Sequence, residues 1–120
     1  MTQLFKETCV ACSIDTIPLS RDEIESLMPE IEGWELINDD HINKLRRVFV
    51  TGDYTRSMTF TNEVAALAEE ADHHPQLIVD YGAVTVIWWS HKIKGLHKND
   101  FIMAAKTSAL FLSIIRESLP

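Results

Sequence analysis

The amino-acid sequence predicts an α+β fold in which a four-stranded antiparallel sheet carries helices on one face. Segments with alternating apolar and polar residues occur in two pairs, and each pair is joined by a turn signal, which is typical of β-hairpins. Segments whose apolar residues recur at helical spacing precede, separate and follow these pairs. The predicted order is therefore α-β-β-α-β-β-α, which indicates two hairpins in one antiparallel sheet.

A single domain is expected over residues 20–120, after an irregular leader over 1–19. In chain order, the predicted elements are a helix over 21–29, strands over 34–38 and 41–50, a helix over 54–71, strands over 76–81 and 83–91, and a helix over 98–117.

Local signals justify the elements of the first half. Ser20 followed by Glu23 is a capping-box pattern, which predicts the start of a helix. The run NDD at 38–40 is a turn signal between two alternating segments and so predicts a hairpin. Gly52 interrupts the second strand, and Asp53 is a candidate N-cap for the helix that follows.

In the second half, the long helix over 54–71 has apolar residues at near-helical spacing and is followed by Pro75. Because proline moves the preceding residue out of the α region, the chain should leave this helix by about Asp72 or His73. Gly82 then separates two β-prone runs, which predicts the second hairpin.

Composition restricts the classes of function. The chain has 120 residues and a net charge of −7, which disfavours a nucleic-acid partner because the phosphate backbone binds basic surfaces. No apolar run is long enough to span a membrane, and no membrane partner is expected. The N-terminus lacks a basic start followed by an apolar block, so we expect a cytoplasmic protein.

The two cysteines, Cys9 and Cys12, form one CxxC motif. In a reducing compartment a structural disulfide is not expected. The motif supplies half of a tetrahedral zinc site, and histidines or a partner chain could complete it. We expect no catalytic or metal role for the pair.

Four residues that could carry chemistry lie at predicted element ends: His73, His74, His91 and Asp100. Side chains at element ends can converge on a cleft. Strand alternation places Trp89 on the same face as His91, where a flat ring could support a planar ligand. The alternative for Trp89 is core or interface packing, which is also the interpretation that we prefer for Trp88.

Histidine suits proton transfer near neutral pH. Two other interpretations of the cluster stay open at this point: a surface histidine pair without a role, and a zinc site. Against zinc, adjacent histidines in an extended chain point apart, and the spacings HxH and HExxH are absent.

The spacing of these residues resembles the pterin-4a-carbinolamine dehydratases. Glu69, three residues, then HHP at 73–75, five residues to Tyr81, nine to His91 and eight to Asp100 match that family's signature. The run WWSHKIKGLHKNDFIMAA at 88–105 is similar to bacterial members that work beside phenylalanine hydroxylase. The resemblance extends from about residue 21 to the C-terminus.

The resemblance implies a hydro-lyase that dehydrates 4a-hydroxytetrahydrobiopterin, or a similar 4a-hydroxytetrahydropterin, to quinonoid dihydropterin in tetrahydrobiopterin recycling. It implies His73 and His91 as the proton-transfer pair, with the division into acid and base left open, and His74 in contact with the pterin. Asp100 is implied either to orient an imidazole or to form a hydrogen bond with the pterin ring. No cofactor and no metal are expected. Weaker candidates for substrate binding are Glu69, Asp72, Trp89 and Trp34. For Glu69 a solvated helix position, and for Trp34 burial in the sheet, are the alternatives.

The resemblance also implies a functional link to an aromatic amino acid hydroxylase and a homodimer or homotetramer. The alternative function is a non-enzymatic dimerisation or coactivator-type binding module on the same fold. Two departures from the family pattern are visible. Ser90 replaces a threonine but keeps the hydroxyl, and His97 stands where many members have a capping threonine. The cap of the last helix is therefore in doubt, and Asn99 is a candidate substitute.

Overall fold

A computed structural model describes residues 4–9 and 16–118 and confirms the predicted α+β fold. The elements are α1 (Arg21–Leu27), β1 (Glu35–Asp39), β2 (Ile42–Val50), α2 (Tyr54–Ala71), β3 (Gln76–Val79), β4 (Ala83–Trp88) and α3 (Lys98–Ser118). Short 3-10 turns lie at Leu4–Lys6 and Met28–Glu30. Within the described ranges, no helix is long and apolar enough to cross a membrane.

The four strands form one antiparallel sheet in the order β1-β2-β4-β3. Leu45 of β2 lies opposite Trp88 of β4, and Phe49 lies opposite Val84. All four side chains are buried, and they share the face on which α2 and α3 pack. The opposite face carries Lys44 and the residues that alternate with this set, because successive side chains of a strand point to opposite sides.

Aromatic rings fill the space between the sheet and the two long helices. Phe49 of β2 lies 4.9 Å from Phe60 of α2 and 4.9 Å from Phe111 of α3, measured between ring centroids. Trp34 packs edge-on against Phe49, and its Nε1 donates to Ser108 Oγ at 2.8 Å. This cluster holds α2 and α3 in fixed positions against the sheet, and the functional residues extend from the ends of these elements.

The helix α1 ends at Leu27, two residues before the predicted boundary at 29. The next residues form a 3-10 turn with proline in its first turn. Proline has no N–H to continue an α-helical ladder but is tolerated at a helix start, which explains the change. The predicted capping box is present: Glu23 N donates to Ser20 Oγ, and Ser20 N donates to Glu23 Oε1.

Both strands of the second hairpin are shorter than predicted. β3 ends at Val79 rather than at Tyr81, because Asp80 N donates to Ala83 O and closes the turn. β4 ends at Trp88 rather than at His91, because Ser90 turns back to form an isolated bridge with Gly95. His91 therefore lies in a loop just beyond the strand.

The described part of the leader packs against the domain. Leu4 is buried in the core, and its 3-10 turn contacts α3. Glu7 forms an ion pair of 2.9 Å with Lys98, the first residue of α3. The boundary at residue 20 stays a prediction, but these contacts join the leader to the helix that carries Asp100. Cys12 lies outside the described residues.

Candidate active site

The end of α2 places His73 at the site. Asp72 adopts the left-handed conformation, with φ 52° and ψ 42°, and its N–H reaches the carbonyls of Ala68 and Glu69. His73 N donates to Ala68 O at 3.1 Å. This pair of bonds is a Schellman motif, which ends the helix sharply. The predicted exit by Asp72 or His73 is confirmed, and Asp72 contributes through its backbone.

His73 forms a short hydrogen bond with a fully buried carboxylate. Its Nε2 lies 2.6 Å from Asp100 Oδ1, and Asp100 is 0% exposed. The other oxygen, Asp100 Oδ2, accepts from Ser90 Oγ at 2.7 Å and from the backbone N–H of His97 at 2.9 Å. Two donors therefore hold Oδ2, so that Oδ1 faces the imidazole and can balance a positive charge there.

The start of α3 is capped by His97, and the suggestion that Asn99 replaces the missing threonine is wrong. His97 Nδ1 accepts from Asn99 N at 3.0 Å, as an N-cap side chain does. Asp100, three residues later, accepts the His97 N–H and so completes a capping-box arrangement. The same carboxylate thus caps the helix and contacts His73. A negative charge in the first helical turn also interacts favourably with the helix dipole.

His74 and His91 meet other acceptors. His74 Nε2 lies 3.3 Å from Glu69 Oε1 on the exposed side of the helix end. His91 Nε2 lies 3.3 Å from the backbone oxygen of His74. The three predicted histidines are therefore connected through the helix end, and Glu69 belongs to the group as a partner of His74.

In all three histidines, Nε2 faces an oxygen acceptor: a carboxylate for His73 and His74, and a carbonyl for His91. A hydrogen bond to such an acceptor requires that Nε2 carries the proton, which assigns the tautomer. The neutral form of each ring then has its lone pair on Nδ1. The Nδ1 atoms are the positions from which these residues can accept or donate a proton.

The two adjacent tryptophans each contact one histidine. The rings of Trp89 and His91 lie 4.3 Å apart with an interplanar angle of 32°, in agreement with the predicted shared face. The Trp88 ring lies parallel to the His73 ring, with a centroid distance of 5.6 Å. Trp88 is fully buried, as predicted for a core residue, but its contact with His73 was not predicted.

Lys44 is a further neighbour that the sequence analysis missed. Its ammonium lies 4.1 Å from the centre of the Trp89 ring and 3.0 Å from Asp39 Oδ2. This places a paired cation beside the Trp89–His91 contact. The alternation of side chains along β2 could have indicated this position for Lys44, since Lys44 points to the face opposite Leu45.

Trp34 is the predicted site residue that the structure places elsewhere. Its side-chain contacts are with Phe49 and Ser108 in the core, and no described contact joins it to the three histidines. Across 4–9 and 16–118, no cluster of three or more His, Cys, Asp or Glu side chains could hold a metal ion.

Cys9 lies near this site, behind the start of α3. Its Sγ lies 3.9 Å from Asn99 O, and burial raises the pKa of the Cys9 thiol. The charge of Lys106 acts in the opposite direction, and the charge of Asp100 adds to the increase. A half-buried thiol with a raised pKa is a weak nucleophile at neutral pH.

Several known proteins are similar to this chain in sequence. The family model described as pterin 4 alpha carbinolamine dehydratase matches residues 17–110. A protein from Nitrosococcus oceani, provisionally named pterin-4-alpha-carbinolamine dehydratase, is 53% identical over 110 residues, which are 92% of this chain and 97% of that protein. One from Saccharophagus degradans with the same provisional name is 46% identical over 111 residues, 92% of this chain and 98% of its own.

Two solved structures are also similar. A transcriptional coactivator/pterin dehydratase from Brucella melitensis has a TM-score of 0.70 at 28% identity and covers 78% of this chain and 97% of its own. A pterin dehydratase-like protein identified as a RuBisCO assembly factor in the alpha-carboxysome has a TM-score of 0.56 at 23% identity, covering 67% of this chain and 90% of its own, and shares the fold. The histidine group thus occurs on a shared fold and in a sequence matched over most of its length, and this chain belongs to the pterin 4 alpha carbinolamine dehydratase family.

Proposed function

We propose that this protein is a hydro-lyase that dehydrates a 4a-hydroxytetrahydropterin, such as 4a-hydroxytetrahydrobiopterin, to quinonoid dihydropterin. Family membership supports the reaction class. The observation that carries the proposal is the short bond between His73 and the buried Asp100, which fixes an imidazole at the end of α2 with its Nδ1 left for substrate.

The reaction needs two proton transfers. The C4a–O bond breaks, and the leaving hydroxide takes a proton from an acid to form water. A base takes the proton of a ring N–H, and the electron pair of that bond completes the new double bond. General acid–base catalysis of this kind typically contributes about 10²–10⁴-fold, and histidines are suited to it.

In this proposal His73 is the acid, because Asp100 can balance the positive charge of its protonated form. His91 is the base, since its Nε2 partner is a neutral carbonyl oxygen and Nδ1 holds the lone pair. His74 contacts the pterin, with Glu69 as its partner, and Trp89 supports the planar ring beside His91. We propose that Asp72 lies close to the substrate, because it stands in the turn that ends α2.

The test is a dehydration assay on purified, metal-free protein, with His73→Gln and His91→Gln as variants. Each should lower kcat by about 10²-fold or more. His41→Asn is the matched control, because His41 lies in the turn between β1 and β2 at φ 65°, a conformation that asparagine tolerates. Unchanged rates in both site variants would contradict the acid–base assignment. One zinc per chain, with activity lost on chelation, would contradict the metal-free mechanism.

A binding module on the same fold is the second candidate, because the Brucella neighbour carries both names, coactivator and dehydratase. Calorimetry with a reduced pterin separates the two, since a protein that binds no pterin and forms a stable complex with a protein partner fits the module. We further propose a homodimer or homotetramer that serves an aromatic amino acid hydroxylase in the cytoplasm. Analytical ultracentrifugation tests the assembly.

A further inference from the structure

Trp88 lies outside the groups that the proposed reaction uses, yet its ring is stacked in parallel with the His73 ring. The two rings are within 5° of parallel, with centroids 5.6 Å apart. Trp88 is fully buried, whereas the His73 side chain keeps 12% of its surface exposed. The tryptophan therefore supports the buried side of a ring whose remaining surface is open to a ligand.

We propose that Trp88 is a positioning residue for His73, an inference that rests on the proposed function. The His73 ring is attached through Cβ and moves by turning about its two side-chain bonds, and the hydrogen bond from Nε2 to Asp100 holds the far edge of the ring without fixing its tilt. A change of tilt would move Nδ1, the atom that exchanges the proton. A parallel ring on one face restricts this tilt, because offset-stacked rings keep their planes together.

Trp88 is itself fixed by α3. Its Nε1 donates to Thr107 Oγ1 at 3.1 Å, and the Thr107 hydroxyl donates to Met103 O at 2.6 Å. The hydroxyl proton is thus used on the helix backbone, and the oxygen presents a lone pair to the indole. Thr107 is fully buried, so this acceptor cannot be replaced by water without repacking. The helix backbone, Thr107, Trp88 and His73 form one chain of contacts.

The next residue of α3 provides a matched control. Ser108 Oγ accepts from Trp34 Nε1 at 2.8 Å, as Thr107 accepts from Trp88. Trp34 is also buried, but it packs on Phe49 rather than on a histidine. Ser108→Ala and Thr107→Val each leave one buried indole N–H without its hydroxyl acceptor, and Thr107→Val alone does so next to His73. Ser108→Ala also removes the acceptor of Arg47 Nη1, at 3.0 Å, so it is the more disruptive of the two changes.

The kinetic test measures kcat and KM for dehydration in folded Trp88→Leu, Trp88→Phe, Thr107→Val and Ser108→Ala proteins. We expect kcat to fall about tenfold in Trp88→Leu with KM within about twofold, because a misplaced catalytic group loses rate more than ground-state binding. Trp88→Phe keeps a flat ring and should recover most of kcat. Thr107→Val should fall severalfold, and Ser108→Ala should keep the wild-type kcat. Wild-type kcat in folded Trp88→Leu and Thr107→Val would overturn the proposal.

A spectroscopic readout separates this proposal from the proposed function. The ring current of Trp88 should shift the resonances of the carbon-bound ring protons of His73, with His73→Gln as the assignment variant. The shift should disappear in Trp88→Leu and persist in Ser108→Ala. A wild type that shows the shift but no dehydration overturns the proposed function and leaves the contact in place. An active wild type whose His73 resonances and kcat do not respond to Trp88→Leu overturns the positioning role.

Discussion

Replacing Ser90 by alanine is expected to loosen the Asp100 carboxylate and to lower both stability and dehydration activity. The Ser90 hydroxyl is buried and donates to Asp100 Oδ2 at 2.7 Å. Alanine keeps the Cβ and the backbone bridge to Gly95, so the loss of one donor is the main change. The His97 N–H still holds Oδ2, but the carboxylate gains freedom to turn away from His73.

Hydrogen bonds to charged groups contribute about 1.5–3 kcal/mol each, so we expect Ser90→Ala to lower the free energy of unfolding by about 2 kcal/mol. For a chain of 120 residues this corresponds to a decrease in Tm of about 8 °C. Because Asp100 orients His73, kcat should fall about tenfold. Ser90→Thr keeps the hydroxyl and should restore both quantities.

The assays are thermal unfolding by circular dichroism and the dehydration rate at saturating pterin. Ser57→Ala is the matched control, since Ser57 is buried but its hydroxyl interacts with the neutral oxygens of Thr51 and Tyr81. It should cost about 1 kcal/mol and leave kcat per folded molecule unchanged. If Ser90→Ala loses no more stability than Ser57→Ala and keeps full activity, the carboxylate does not depend on this donor.

Three further predictions concern other parts of the chain. In a Cys12→Ser background at pH 8, iodoacetamide should react with the Cys9 thiol more slowly than it reacts with the thiol of free glutathione, because burial raises the pKa of Cys9. Denaturant should abolish the difference between the two rates. Gly33 has φ 90° and a Cβ there would lie 3.0 Å from Arg47 Cζ, so Gly33→Ala should lower the free energy of unfolding by about 1 kcal/mol or more in urea titration, and an unchanged midpoint would contradict this. The hydrogen bond from Ser20 N lowers the pKa of the Glu23 carboxyl, so its contribution to stability is present above its unfolded-state pKa and lost as the pH falls through the lower folded-state value. Wild type and Glu23→Gln should therefore converge in Tm at acidic pH.

The fold could be predicted from the sequence because its signals are local. The capping box at Ser20, the N-cap at Asp53 and the proline after α2 each act within a few residues, and all three mark element ends in the structure. The errors in the second hairpin occurred where a neighbouring element decides the outcome. The alternating sequence pattern of β4 continues past Trp88, but the pairing of β4 with β2 stops at Trp88. Ser90 pairs with Gly95 instead.

The site could be predicted only in part. Element ends identified the histidines, but nothing local indicates that His73 pairs with Asp100, which lies 27 residues further along the chain. The spacing resemblance supplied that grouping. The cap of α3 was in doubt because His97 stands in place of a threonine, but its Nδ1 can accept the N–H that a hydroxyl would accept.

Trp88 shows that alternation along a strand predicts which face of the sheet a residue lies on, but not whether that residue contacts the site. It placed Trp88 in the core and Trp89 beside His91, and both placements agree with the structure. The inference that the core tryptophan has no part in the site does not follow, because His73 lies at the edge of the core and stacks on it. At the end of β4, a residue that fills the core therefore also determines the orientation of the His73 ring. Substitutions at the end of β4 should therefore change stability and kcat together, and only activity normalised to folded protein, compared with Ser108→Ala, can separate the two effects.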